Sequence, residues 1–153
     1  MNHAIDREYK ILVAIGDEAE RDEICEALGV YGLAVTCVAD GNTAFRAFED
    51  RDYDLAVVDS DLPEVSGFDL QSSLRVSDGV ASPPMIMIGA ADEEQCERAF
   101  GLGAALYIPR PIMMPLMTHG VWSALRNHAR DQEMRWLKER LGFEPNYRMA
   151  VAY

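Results

Sequence analysis

One aspartate stands where an apolar strand gives way to a loop and a helix. Asp59 closes the apolar run 54–58, and Pro63 and Gly67 punctuate the loop that follows. Open α/β sheets bind their ligands at the carboxyl ends of parallel strands. The Asp59 carboxylate is therefore the first candidate for chemistry. The simpler alternative is that it only caps the loop or helix after it.

Apolar runs and helix-like stretches alternate along the chain and must position this carboxylate. Strands are predicted at residues 10–15, 33–38, 54–58, 85–88 and 105–108, and helices at 18–30, 42–50, 68–76, 92–101 and about 115–141. Strict alternation predicts βαβ units, and hence a parallel sheet with helices on both faces. The near-continuous apolar strands agree, because strands covered on both faces need not alternate. The predicted fold class is α/β, a doubly wound five-stranded parallel sheet.

Five landmarks follow one another along the predicted sheet. They are Asp59 after the third strand, Pro63 and Gly67 in its loop, Tyr107 on the fifth strand, and the pair Arg110–Pro111. By these landmarks, residues 10–128 resemble the receiver domains of bacterial response regulators. The resemblance implies a flavodoxin-like (βα)5 fold with Asp59 as the formal phosphoacceptor and Tyr107 as the switch aromatic. It also implies that Arg110–Pro111 takes the place of a Lys-Pro pair whose peptide bond is usually cis.

The acids that hold Mg²⁺ beside the acceptor in this family are missing. They directly follow the first strand, where this chain has Ile15 and Gly16. Asp17 and Glu18 come one or two places later, and Asp61 follows the acceptor by two. A charge pair at 4 Å is worth about 4 kcal/mol near a protein surface, so the loss of two ligands should weaken Mg²⁺ binding severely. Asp17 could replace them only if its loop rearranged, and Asp61 either compensates or is simply solvated.

Two further positions depart from the family. Gly89 stands where the fourth strand normally ends in a Ser or Thr hydroxyl that bonds the phosphoryl oxygen. Without it, Tyr107 lacks the partner that couples it to the acceptor. Arg110 keeps the charge of the family's lysine, and its planar fork pairs well with carboxylates. We therefore predict a standing Arg110–Asp59 ion pair in the space that metal and phosphate otherwise occupy.

The charge of the chain argues against a nucleic-acid partner. The formal net charge is −12, with 22 acids against 8 bases in residues 1–125 and 4 against 6 in residues 126–153. An acidic body repels the phosphate backbone. The N-terminus has no apolar signal region, and no run of about 18 apolar residues could span a membrane. A cytoplasmic protein without membrane contact is expected.

The cysteines agree with a cytoplasmic location. Cys25, Cys37 and Cys96 form no CxxC pair, and their number is odd. Reduced thiols are therefore expected. Cys37 falls within an apolar strand and is predicted to belong to the core.

The last predicted helix extends beyond the end of the expected compact domain. We expect a receiver domain at residues 1–128, followed by an extended helix and tail at 129–153, loosely structured after Gly142. Met134, Leu137 and Leu141 form a stripe that either folds back on the domain or forms a dimer seam or the start of a coiled-coil linker. Too few residues follow for an output domain, so the chain is either a single domain or the front of a longer protein.

The segment 109–117 is apolar and rich in methionine, a residue that adapts to varied partners. In receiver domains the surface of the fourth helix, fifth strand and fifth helix carries dimer and partner contacts. The alternative is that Leu116 and Met117 belong to the core and only Met113 and Met114 are exposed.

Three functions are weighed. The leading one is an atypical receiver domain, not an enzyme, that signals by contact with a histidine kinase, another receiver, an output protein or a second copy of itself. It would use its last strand and long last helix and need no cofactor. The second is a working phosphoacceptor in which Asp17 or Asp61 supplies metal ligands. The third is an unrelated flavodoxin-like enzyme or nucleotide binder. The third conflicts with the acidic loop after the first strand, because a phosphate cradle needs a Gly-rich or Ser/Thr-rich loop there.

Overall fold

A computed structural model describes residues 8–50, 52–76 and 83–142. Five strands and five helices alternate in it, as the sequence predicts. They are β1 (Lys10–Ala14), α1 (Glu18–Gly29), β2 (Ala34–Val38), α2 (Gly41–Asp50), β3 (Leu55–Asp59), α3 (Gly67–Val76), β4 (Met85–Gly89), α4 (Glu93–Gly101), β5 (Leu106–Pro109) and α5 (Met114–Leu141). The boundaries differ from the predicted ones by at most one residue, which is within the usual uncertainty at element ends.

All five strands pair in parallel, in the order β2-β1-β3-β4-β5. The predicted doubly wound α/β fold is confirmed. In the register, Ala14 pairs with Val58, Asp59 with Ile88, and Gly89 with Pro109. The carboxyl ends of β1, β3, β4 and β5 therefore meet at one edge of the sheet, which we call the carboxyl edge.

The sheet is covered on both faces. On one face, α1 and α5 bury Ile24, Leu28, Met117 and Val121 against the strands. On the other, α2, α3 and α4 cover a second cluster that includes Tyr107. The central strands β3 and β4 are buried along their whole length. Burial on both faces explains why their sequences are continuously apolar.

The helix α5 continues well past the core. Its 28 residues span about 42 Å, and Leu125 is its last core residue among those described. Beyond it Met134 and Leu137 are half-buried, whereas Trp136 is 53% exposed. The helix ends at Gly142, whose positive φ of 65° suits glycine. The Leu141 side chain and the tail after Gly142 lie outside the described residues, so those predictions remain predictions.

The cysteine prediction is wrong for two of the three residues. Cys25 and Cys37 form a disulfide, whereas Cys96 is free. Cys37 is exposed on the edge strand β2 instead of belonging to the core. The reason is the layering, because α1 returns over the same face of β2 on which Cys37 lies and brings Cys25 next to it. Spacing alone did not reveal this pairing.

None of the helices that the structure describes is long and apolar enough to cross a membrane.

Candidate functional site

Asp59 ends the central strand β3 at the carboxyl edge and is only 6% exposed. Its Oδ1 accepts a hydrogen bond of 3.0 Å from the backbone N–H of Asp61. The loop returns so closely that a Cβ on Gly67 would overlap the Asp59 carbonyl oxygen, and the Gly67 N–H donates to the Ser60 carbonyl at 3.0 Å. A glycine is therefore required where α3 begins, because the backbone there packs directly against the end of β3.

Arg110 holds the second oxygen of this carboxylate. Its Nη2 lies 2.9 Å from Asp59 Oδ2, which confirms the ion pair that the sequence predicts. The backbone N–H of Arg110 donates to the Gly89 carbonyl at 2.8 Å. The Arg110–Pro111 peptide bond is cis. The side chain therefore starts from a fixed position just beyond β5 and reaches across the edge to β3.

A second carboxylate, that of Glu20, grips the same guanidinium. Arg110 donates from Nε to Glu20 Oε2 at 3.0 Å and from Nη2 to Oε1 at 2.7 Å. The pKa of Arg110 is raised, chiefly by the hydrogen bonds to Glu20 and also by the Asp59 charge, although burial acts against them. Bidentate pairs of this kind are among the stronger polar contacts in proteins. Arg110 thus bridges two acids, one from β3 and one from α1.

The acids that sequence reasoning offered as substitute metal ligands lie elsewhere. The Asp17 carboxylate caps α1 by accepting a hydrogen bond of 2.9 Å from the Glu20 N–H, and its side chain is exposed. Asp61 is exposed as well and approaches Asp59 only through its backbone. Of the two alternatives for Asp61, the solvated one agrees with this position.

A guanidinium also covers the loop after β1. Arg21 Nη1 donates to the Ile15 carbonyl at 3.0 Å and to the Gly16 carbonyl at 3.4 Å. Ile15 itself is fully buried, and a Cβ on Gly16 would lie 3.1 Å from Pro63 Cδ. This loop therefore presents an apolar side chain and a bound cation where the related family has two acids.

These residues do not fit a divalent cation. Mg²⁺ takes oxygen ligands, several of them carboxylates or carbonyls. No group of three His, Cys, Asp or Glu side chains in residues 8–50, 52–76 and 83–142 could hold a metal ion. The one buried carboxylate at the edge, Asp59, is already paired with Arg110. A dication there would have to displace the Arg110 guanidinium from Asp59 Oδ2.

Beside Asp59, β4 ends at Gly89 without a side chain, and Tyr107 from β5 fills the space. Tyr107 is buried, and its hydroxyl donates a hydrogen bond of 2.6 Å to the Ala90 carbonyl. Burial is the main cause that raises the pKa of Tyr107. Its assignment as the switch aromatic remains a prediction.

Sequence reasoning missed Glu20 and Arg21 because it considered only acids adjacent to the end of β1. A signal was present in Asp17-Glu18-Ala19-Glu20, an N-cap acid followed three residues later by glutamate. This spacing is typical of a helix start and places the glutamate one turn into the helix. This spacing marks Glu20 as an acid of the first helical turn, but it does not identify Arg110, 90 residues away, as its partner.

The segment 109–117 is divided between core and surface. Met117 is fully buried, Met114 is half-buried, and Met113 and Leu116 are 66% and 46% exposed. The alternative in which Leu116 belongs to the core is therefore wrong. Two large apolar side chains remain on the surface where α5 begins.

Comparisons with known proteins agree on one family. The family model of the response regulator receiver domain matches residues 11–121. The transcriptional regulatory protein RprY of Bacteroides fragilis is 31% identical over 123 residues, which are 80% of this chain and 51% of that protein. The chain thus spans about half the length of this relative.

Solved structures show the same fold. The receiver domain of the Francisella response regulator 1452 has a TM-score of 0.74 at 24% identity, and the match covers 78% of this chain and 98% of that one. The chemotaxis response regulator CheY4 of Vibrio cholerae has a TM-score of 0.71 at 18% identity, with 77% and 99% covered. At these identities the likeness concerns the fold alone.

Proposed function

Because the chain belongs to the response regulator receiver domain family, we propose that it acts in two-component signalling as a docking module whose acceptor site is closed by a standing ion pair. Receiver domains interact with histidine kinases and other signalling proteins. Family membership also removes the third alternative, an unrelated flavodoxin-like enzyme. In this proposal the domain is cytoplasmic and is not an enzyme.

One observation carries the proposal, the bridge of Arg110 between Asp59 and Glu20. Phosphoryl transfer to a carboxylate brings anion to anion and depends on positioning and charge neutralisation. Here the Arg110 guanidinium supplies the neutralising positive charge, and it contacts the Asp59 carboxylate directly. An incoming phosphoryl group would have to displace Arg110 from Asp59 Oδ2, while Oδ1 already accepts the Asp61 N–H.

The output would then come from surface contacts at the last strand and last helix. Met113 and Leu116 are exposed where α5 begins, and Trp136 is exposed on its extension. We propose that this surface binds a kinase, another receiver, an output protein or a second copy of the chain. An acidic body makes a nucleic-acid partner improbable on electrostatic grounds.

The test is an amide NMR titration with beryllofluoride, a mimic of the acyl phosphate, with and without Mg²⁺. In the wild type we expect no Mg²⁺-dependent shifts at Asp59, Gly89 and Tyr107 at millimolar reagent. Such shifts would contradict the proposal and favour the second alternative, a working phosphoacceptor.

A restored variant is the positive control. Ile15→Asp, Gly16→Asp and Arg110→Lys together return the acids and the lysine that the family has, and lysine lacks the fork that grips Glu20. We expect this variant to gain a Mg²⁺-dependent response. If burial of the new acids prevents folding, Gly16→Asp with Arg110→Lys avoids the fully buried position 15.

A further inference from the structure

The space beside Gly89 is filled by a hydroxyl from the neighbouring strand. A Cβ added at Gly89 would overlap the Tyr107 hydroxyl oxygen and lie 2.6 Å from Ser60 Oγ. Real Cβ atoms do not tolerate such approaches, and the obstructing ring is buried. Position 89 therefore admits no side chain while Tyr107 keeps this orientation.

The Tyr107 hydroxyl has its own partners, separate from those of Asp59. It donates to the Ala90 carbonyl at 2.6 Å and lies 3.5 Å from Gln95 Oε1 on α4. The Asp59 carboxylate is held instead by Arg110 and by the Asp61 N–H. These two sets of side-chain hydrogen bonds have no residue in common.

We infer that Gly89 is a positioning residue that holds Tyr107 in one inward orientation, so that the surface between α4 and β5 keeps one shape whatever the chemical state of Asp59. An outward turn of the ring would leave a void at Gly89, which is unfavourable. It would also remove the Tyr107 hydrogen bond to the Ala90 carbonyl, which would keep only the bond from the Asp92 backbone N–H. The inference rests on the proposed function only for the use of this surface in docking.

The orientation can be measured by NMR on the full chain with ¹³C-labelled tyrosine, using Tyr107→Phe to assign the ring signals. We expect one set of Tyr107 ring signals, with nuclear Overhauser contacts from the ring to the Gly89 Hα protons. Asp59→Asn removes the acceptor charge at nearly constant shape and should leave these contacts unchanged. The contacts and not the ring shifts are compared, because the Asp59 charge acts on Tyr107 electrostatically. Absent contacts, two sets of signals, or loss of the contacts in Asp59→Asn would each overturn the inference.

The role of Gly89 is tested by Gly89→Ala. The added methyl should displace the Tyr107 ring signals and raise the unfolding equilibrium constant about fivefold or more, as expected for overpacking. Tyr107→Phe removes the oxygen that the methyl meets, so the double variant should recover much of the loss. Recovery with Ser60→Ala but not with Tyr107→Phe, or unchanged ring signals in Gly89→Ala, would contradict the assignment. If Gly89→Ala does not fold, the wild type and Asp59→Asn still decide the question.

These outcomes are separable from those of the proposed function. A wild type that responds to beryllofluoride at Asp59 while the Tyr107 ring stays fixed would overturn the proposed function and support this inference. A Tyr107 ring that changes orientation in a wild type that does not respond to beryllofluoride would overturn this inference and support the proposed function.

Discussion

Two neighbouring parts of the carboxyl edge are filled in different ways. Around Asp59 the filling group is charged, a guanidinium held by two acids. Around Gly89 it is uncharged, the tyrosine hydroxyl of the next strand. In both places the group comes from β5 or from the residue just after it. The comparison teaches that the edge has a charged half and an uncharged half, and each half can be tested by removing the side chain that fills it.

The largest effect is expected when the cation is removed. Arg110→Ala leaves the buried Asp59 carboxylate without its ion-pair partner, and loss of one partner of a buried pair costs about 3–5 kcal/mol. Because the Arg110 side chain is 32% exposed, solvent screening reduces the loss below this range, and we expect about 2–3 kcal/mol in the free energy of unfolding. Urea denaturation measures it.

Asp59→Asn provides the control for this variant. In the Asp59→Asn background the buried negative charge is gone. Arg110→Ala should therefore lower the free energy of unfolding by clearly less than it does in the wild type. If Arg110→Ala lowers the free energy of unfolding equally in both backgrounds, the ion pair with Asp59 is not the source of the stability that Arg110 provides.

A smaller effect is expected when one of the two acids is neutralised. Glu20→Gln weakens the bidentate grip on Arg110, yet the ion pair with Asp59 remains, so we expect a loss of about 1 kcal/mol. Glu18→Gln is the matched control, because Glu18 lies exposed in the same first turn of α1. It removes the same charge from the helix end, and its expected change stays within about 0.5 kcal/mol. Similar losses of stability in Glu20→Gln and Glu18→Gln would show that Glu20 acts through the helix dipole and not through its contact with Arg110.

The smallest effect is expected at the uncharged half, in how the stability that Tyr107 contributes depends on pH. Burial raises the pKa of Tyr107 above its ordinary value of 10.0, so the unfolded chain releases this proton first. Stability from this group is therefore complete below pH 10 and falls as the pH rises past it, by at most about 1.4 kcal/mol per pH unit. Unfolding measured from pH 8 to 11 should show a shallower decline in Tyr107→Phe than in the wild type. Parallel curves would indicate that Tyr107 is not held in a buried position.

The fold could be predicted from the sequence, because apolar runs alternate with helix-like stretches along the whole chain. The Arg110–Asp59 pair could be predicted too, since the resemblance places Arg110 where the family has a lysine and a guanidinium pairs well with a carboxylate. Glu20 could not be located by the same reasoning, because its partner is 90 residues away and its direction depends on how α1 leaves the sheet. The Cys25–Cys37 disulfide was missed for a similar reason, since only the layering of α1 over β2 brings the two sulfurs together.

The Glu20–Arg110 contact has a consequence for the order of assembly. It joins the first helix to the end of the last strand across 90 residues of chain, and closing so long a loop costs entropy before any bond forms. We therefore expect the bridge to form late, after β3 and β5 have joined the sheet. Its stability should then slow the unfolding of the domain and have little effect on the folding rate.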